Sequence, residues 1–219
     1  MKLAIINGSP RYKSSNSNLL INQFLKGYGR LVSDSVPVYY IAGKKNREGL
    51  ADVFREAQIV IIIFPLYTDC MPGIVKEFFE DIVGLEYSHN KKIGFIVQSG
   101  FPESIHSMAV ERYLKKFSER LKCEYLGCVI KGGVEGIQIM PPWMTRKLFS
   151  QFQELGYYFA QNSSFSPKVR GELQKPYKMS LAKRVGFTLF SKLGLTNFYW
   201  NGKLKENGAF KNSFDRPFI

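Results

Sequence analysis

A chain of 219 residues, 45 % hydrophobic and 22 % charged, can bury one large core and reads as an ordinary globular protein. No apolar run is long enough to span a membrane, and the start enters a strand-like run without a signal-peptide pattern, so a cytoplasmic protein is expected. The net charge of +13 is uneven: residues 165–219 carry 11 Lys/Arg against 3 Asp/Glu, residues 1–164 carry 20 against 15.

In chain order, Lys2–Asn7 is a short β-branched strand, and a helix from Ser17 to about Ser33 follows, with Leu20, Phe24, Leu25 and Leu31 at helical spacing. Val36–Ile41 is a second strand and Arg47–Ala57 a short helix. The run Ile59-Val60-Ile61-Ile62-Ile63-Phe64 reads as a central strand covered on both faces. Pro72–Leu85 is helical, Ile93–Gln98 is the fourth strand, Ser104–Lys122 a long charged helix, Tyr125–Lys131 the fifth strand and Thr145–Gln161 the fifth helix. Strand and helix alternating in this way imply an α/β fold, a doubly wound five-stranded parallel sheet in the order 2-1-3-4-5. Residues 163–175 ("SSFSPKVRGELQK") read as a linker, which sets a domain at 1–162 and an extension at 163–219.

The loop after strand 1, "NGSPRYKSSNS", is crowded with hydroxyls, amides and a cation. In an open α/β sheet ligands sit beyond the carboxyl ends of the strands. Here Ser17 is expected to cap the next helix, and Ser9, Arg11, Ser15, Asn16 and Asn18 offer charge and donors for a phosphate. The loop is neither a Walker A sequence nor G-x-G-x-x-G, so neither an NTPase nor a dinucleotide fingerprint is supported. The cysteines Cys70, Cys123 and Cys128 form no C-x-x-C pair, so neither a disulfide framework nor a thiolate metal site is suggested.

Together with "PLYTDCMPG" after strand 3 and "SGF" after strand 4, this loop resembles those of the NADPH-dependent FMN reductase and NAD(P)H-quinone oxidoreductase group of the flavodoxin-like superfamily, over roughly residues 1–162. The resemblance implies FMN as cofactor and NAD(P)H as co-substrate. It places the FMN phosphate on Ser9, Arg11, Asn16, Ser17 and Asn18. It lays Pro65, Leu66, Tyr67 and Thr68 along the isoalloxazine with backbone N–H groups near N5 and O4, lets Met71, Pro72 and Gly73 shape the turn, and sets Ser99, Gly100 and Phe101 at the other ring edge. Relatives that bind an iron–sulfur cluster do so through cysteines after strand 2; "IAGKKNREG" has none, so no cluster or metal is expected. The flavin carries the chemistry and no catalytic side chain is required. His106 reads as a surface histidine rather than a proton donor, Cys70 as a small apolar filler, and Tyr67 either covers the ring or packs beside it.

Pro176–Leu195 has Ala182, Val185, Gly186, Leu189 and Leu193 on one helical stripe and reads as a basic amphipathic helix; an aromatic segment containing Phe198-Tyr199-Trp200 follows. Such a segment packs on its own domain or on a partner subunit, with a membrane surface as the weaker alternative and nucleic acid not expected. The resemblance implies a homodimer. The leading function is an FMN-dependent oxidoreductase moving hydride from NAD(P)H to a quinone, a nitro- or azo-aromatic compound, or a flavin. The alternatives are an electron-transfer flavodoxin, disfavoured by the basic charge, and a basic membrane- or partner-binding protein on the same scaffold.

Overall fold

The computed structural model describes residues 2–43, 49–87, 90–192 and 197–216, without the side chains of Phe187, Phe198 and Tyr199. The strands are β1 (Leu3–Asn7), β2 (Val38–Tyr40), β3 (Ile59–Pro65), β4 (Lys92–Gln98) and β5 (Glu124–Lys131). They pair in the order β2-β1-β3-β4-β5, every pairing parallel, which is the expected order. The helices of the sheet unit are α1 (Asn16–Tyr28), α2 (Leu50–Glu56), α3 (Gly73–Ile82), α4 (Met108–Arg120), α5 (Pro142–Asn162) and α6 (Pro167–Leu173). The first two positions of the helix expected over Arg47–Ala57, residues 47 and 48, lie outside the described residues.

All seven residues of β3 are buried because helices cover both faces of the sheet. The two-residue period of the strands splits the core in two. Ala4, Ile6, Val60, Ile62 and Phe64 pack with Phe54, Val75, Phe78, Phe79 and Leu114 from α2, α3 and α4. Leu3, Ile5, Ile59, Ile61 and Ile63 pack on the other side with Leu20, Phe24, Phe152 and Phe159 from α1 and α5. α1 and α5 approach to backbone contact: a Cβ on Gly27 would lie 1.8 Å from the Gln153 carbonyl oxygen, and one on Gly156 1.9 Å from that of Phe24. Only glycine fits at this crossing.

Three expectations are corrected. The chain divides into compact units at Met1–Lys178 and Met179–Ile219, so the boundary set at 162 falls inside the first unit. The "linker" contains α6: Ser166 caps it through a hydrogen bond from the Val169 N–H, Pro167 occupies its first turn, and Phe165, Val169 and Leu173 are buried against the sheet. The helix foreseen from Ser104 begins instead with a 3-10 turn, Ser104–Ser107, before α4.

The second unit holds α7 (Leu181–Lys192) and α8 (Phe198–Glu206). Leu181, Val185, Leu189 and Phe190 of α7 and Trp200 of α8 are exposed. Leu193, part of the expected stripe, lies outside the described residues.

Candidate functional site

The loops after β1, β3 and β4 meet at the carboxyl ends of the strands in a small cleft. Ser9, Arg11, Asn16, Pro65, Leu66, Tyr67, Ser99 and Gly100, all foreseen, line it. Gln98 from the end of β4 and Glu135 from the loop after β5 line it too, and neither was foreseen.

The end of the cleft expected to take a phosphate is built around an unforeseen residue, Asn7. This fully buried side chain closes β1: its Oδ1 accepts from the Ser9 N–H at 2.9 Å and its Nδ2 donates to Ser15 Oγ at 3.3 Å. Ser15, not Ser17, caps α1, its Oγ accepting from the Asn18 N–H at 3.1 Å. The cap sits two residues earlier than expected because Ser15 has the extended backbone a cap needs, φ −99° and ψ 153°. Ser17 lies inside the helix, fully buried, with Gln98 Nε2 donating to its Oγ at 3.4 Å.

Internal hydrogen bonds decide which foreseen donors stay open to a ligand. The Asn16 amide is spent: its Nδ2 donates to the carbonyls of Val134 and Glu135 at 2.8 and 3.2 Å, tying the β5–α5 loop to α1. Asn18 Oδ1 accepts from the Tyr40 hydroxyl at 2.9 Å, leaving its Nδ2 as donor. Ser9 Oγ accepts from the Arg11 N–H at 3.4 Å. The half-exposed Arg11 guanidinium lies 3.6 Å from a Glu135 carboxylate oxygen. With the first-turn N–H groups of α1, this set suits an anion. Glu135 opposes it, since an incoming phosphate would compete with it for Arg11.

The loop after β3 is a two-residue hairpin. Tyr67 and Cys70 exchange both backbone hydrogen bonds, at 2.8 and 3.0 Å, and the central residues Thr68 and Asp69 take φ of 47° and 61°. Two successive non-glycine residues at positive φ are costly, and such strain clusters at functional sites. The geometry also corrects the expected ring donors. Pro65 has no N–H, Leu66 gives its own to the Gln98 carbonyl and Tyr67 to that of Cys70. That leaves Thr68 of the four, joined by Asp69, whose N–H is likewise outside the bridge. Met71 packs into the core, Pro72 occupies the cap position of α3 and Gly73 is its first residue.

On the far side, Phe101 is part-exposed and stacks on His106 at 4.5 Å between ring centroids. His106 sits in the 3-10 turn rather than on a plain helix surface, with Nδ1 3.5 Å from Asp69 Oδ1 and Nε2 3.7 Å from Glu103 Oε2. It therefore couples the β3 hairpin to the loop after β4. Cys70 is exposed, not the buried filler expected, while Cys123 and Cys128 are buried.

Residues 1–142 match the family model described as "Flavodoxin-like fold". The chain belongs to that family. Solved structures agree on the fold. An FMN-dependent NADH-azoreductase from Bacillus anthracis in complex with FMN superposes with a TM-score of 0.54 at 18 % identity, covering 73 % of this chain and 100 % of that one. An NADPH-quinone reductase from P. pentosaceus gives 0.53 at 16 %, covering 70 % and 96 %. An NADH:FMN oxidoreductase in its apo form gives 0.56 at 15 %, covering 80 % and 95 %. Comparison with curated proteins yields no match.

Proposed function

We propose that the protein is an FMN-dependent NAD(P)H oxidoreductase that passes hydride to a quinone, a nitro- or azo-aromatic compound, or a flavin. One observation carries the reading. A helix N-terminus with Arg11 stands beside a strained hairpin carrying two uncommitted N–H groups and the exposed ring of Tyr67, with Phe101 beyond, all at the carboxyl edge of a parallel sheet. Three structural neighbours whose names specify FMN, NADH or NADPH chemistry support the same reading.

Bound FMN would supply the hydride chemistry; the chain supplies position and electrostatics. Arg11, the Ser9 hydroxyl, Asn18 Nδ2 and the α1 first turn would hold the phosphate. The N–H groups of Thr68 and Asp69 would face the electron-accepting edge of the ring and favour the reduced, more electron-rich form. Ser99, Gly100 and Phe101 would border its other edge. His106, between the carboxylates of Asp69 and Glu103, would hold the hairpin against the loop after β4. Nicotinamide and acceptor would take turns on the open face. We further propose a homodimer in the cytoplasm as the working unit.

FMN titration tests the site. A hydrogen bond to a charged group contributes about 1.5–3 kcal/mol, so Arg11→Ala should weaken FMN binding roughly ten- to a hundredfold, and Glu135→Gln, which frees Arg11, should strengthen it. Loaded protein should bleach on anaerobic addition of NADH or NADPH. Colour without bleaching would indicate an electron carrier; no affinity for FMN would overturn the assignment.

A further inference from the structure

A second, larger cleft lies beyond the end of β5, between α5 and α6, with a volume of about 560 Å³. That is within the range of small-molecule sites. It shares no lining residue with the flavin cleft, although both flank the β5–α5 loop.

Its chemistry is divided. One part is cationic, with Lys131 from the last position of β5, Lys147 from α5 and Lys175 from just after α6. None of these three ammonium groups has a hydrogen bond or an ion pair with a described residue. Glu172, the only carboxylate among the described lining residues, accepts instead from Gln151 Nε2 at 3.3 Å. Lys131 is half-buried, and its ammonium is held below the usual lysine range first by burial and then by the charge of Lys147. A half-buried lysine beside another lysine, with no acceptor among the described residues, is an unbalanced arrangement that an anion would correct. An apolar part is aliphatic or unbranched, with Ile137, Met140, Met144 and Leu148, and Gly133, Thr145 and Gln151 complete the wall. Methionine adapts its shape to flexible ligands. Among the described residues no aromatic ring lines the cleft, and none there would stack on a nucleotide base.

We infer that this cleft binds an aliphatic acid, its carboxylate on Lys131 and Lys147 and its chain along Met140, Met144 and Leu148. The inference does not depend on the flavin reading, because the lining residues differ.

Calorimetric titration of the full-length protein with decanoate, 1-decanol and inorganic phosphate tests it. Decanoate should bind with one site per chain, and both other probes at least about tenfold more weakly, since one lacks the charge and the other the chain. Lys131→Met and Lys147→Met should each weaken decanoate about tenfold or more while leaving FMN affinity unchanged. Lys147 is exposed, so its variant keeps the test valid even if Lys131→Met fails to fold. Equal binding of decanol, equal binding of phosphate, absence of decanoate binding, or decanoate affinity indifferent to Lys147→Met would each overturn the inference.

Discussion

The two compact units use the same kinds of residue to opposite effect. In Met1–Lys178 eight phenylalanines, Phe24, Phe54, Phe64, Phe78, Phe79, Phe95, Phe152 and Phe159, are fully buried, and exposed rings such as Tyr67, Phe101 and Trp143 sit outside those layers. In Met179–Ile219, Leu181, Val185, Leu189, Phe190, Trp200 and Phe214 are exposed, amid seven Lys/Arg and two Asp/Glu. The difference is one of templates. A parallel sheet offers two apolar faces, and any helix whose stripe matches either face is buried by it. Two short helices offer each other one narrow stripe, and periodicity alone does not supply a surface to cover it.

The contrast predicts where substitutions cost stability. The largest loss is expected at Phe159, which is fully buried with its ring centroid 5.6 Å from that of Phe24 and 5.3 Å from that of Phe165. Phe159→Ala removes a ring from a closed layer and should cost about 3–5 kcal/mol in urea unfolding. A loss under about 1 kcal/mol would mean that the α1–α5 layer is much looser than its packing implies.

Next comes the α1–α5 crossing. Gly156→Ala places a methyl group 1.9 Å from the Phe24 carbonyl oxygen, and backbone rather than a flexible side chain has to move. A cost of about 1–3 kcal/mol is expected from overpacking. The same substitution at Gly202, where an added Cβ meets nothing within 4 Å, should be neutral or slightly stabilising and serves as the control from the second unit.

Lys91 gives a third, smaller effect with a pH signature. It is 1 % exposed, yet its ammonium donates to the carbonyls of Phe54, at 2.6 Å, and Ala57, closing the carboxyl end of α2. Lys91→Met orphans those acceptors and should cost about 1–2 kcal/mol. Burial lowers the lysine's pKa from its ordinary 10.5. As pH rises through the folded value toward 10.5, the unfolded chain holds the proton that the folded chain has released, so wild-type stability gains over that window. The methionine variant lacks this gain, and the gap between the two should widen with pH. A gap that narrows would show that Lys91 is not depressed.

These regions also differ in how far the sequence reveals them. The sheet order was legible because an unbroken run such as Ile59–Phe64 has no place except the centre of a parallel sheet. The loop after β1 was legible in its residue types but not in its bonding. Ser15 and Ser17 are equally good caps on paper, and only the backbone at Ser15 decides between them. Glu135 and Gln98 were missed because they reach the cleft through the fold, from the loop after β5 and the end of β4. Asp69 was missed because its N–H matters only once the hairpin commits those of Leu66 and Tyr67. The helix α6 did carry a signal, Ser166-Pro167 followed by Val169 and Leu173 four residues apart, which the polar neighbours outweighed.

The smallest effect is predicted for α7. Val185 and Leu189 are one helical turn apart on the same stripe and both more than half exposed, at 52 % and 58 %. Replacing both with serine removes apolar surface that already faces water, so the unfolding free energy should change by no more than about 0.5 kcal/mol. The stripe would instead matter in association. If a second copy of the chain covers it, the double variant should shift sedimentation velocity from dimer to monomer while melting of the sheet unit stays put. If the double variant remains dimeric but no longer co-sediments with anionic vesicles as the wild type does, the seven cations around the stripe face lipid, and dimerisation uses another surface. A fall of several degrees in the melting temperature of dilute, monomeric protein would break the comparison itself, because the stripe would then be part of the folded core.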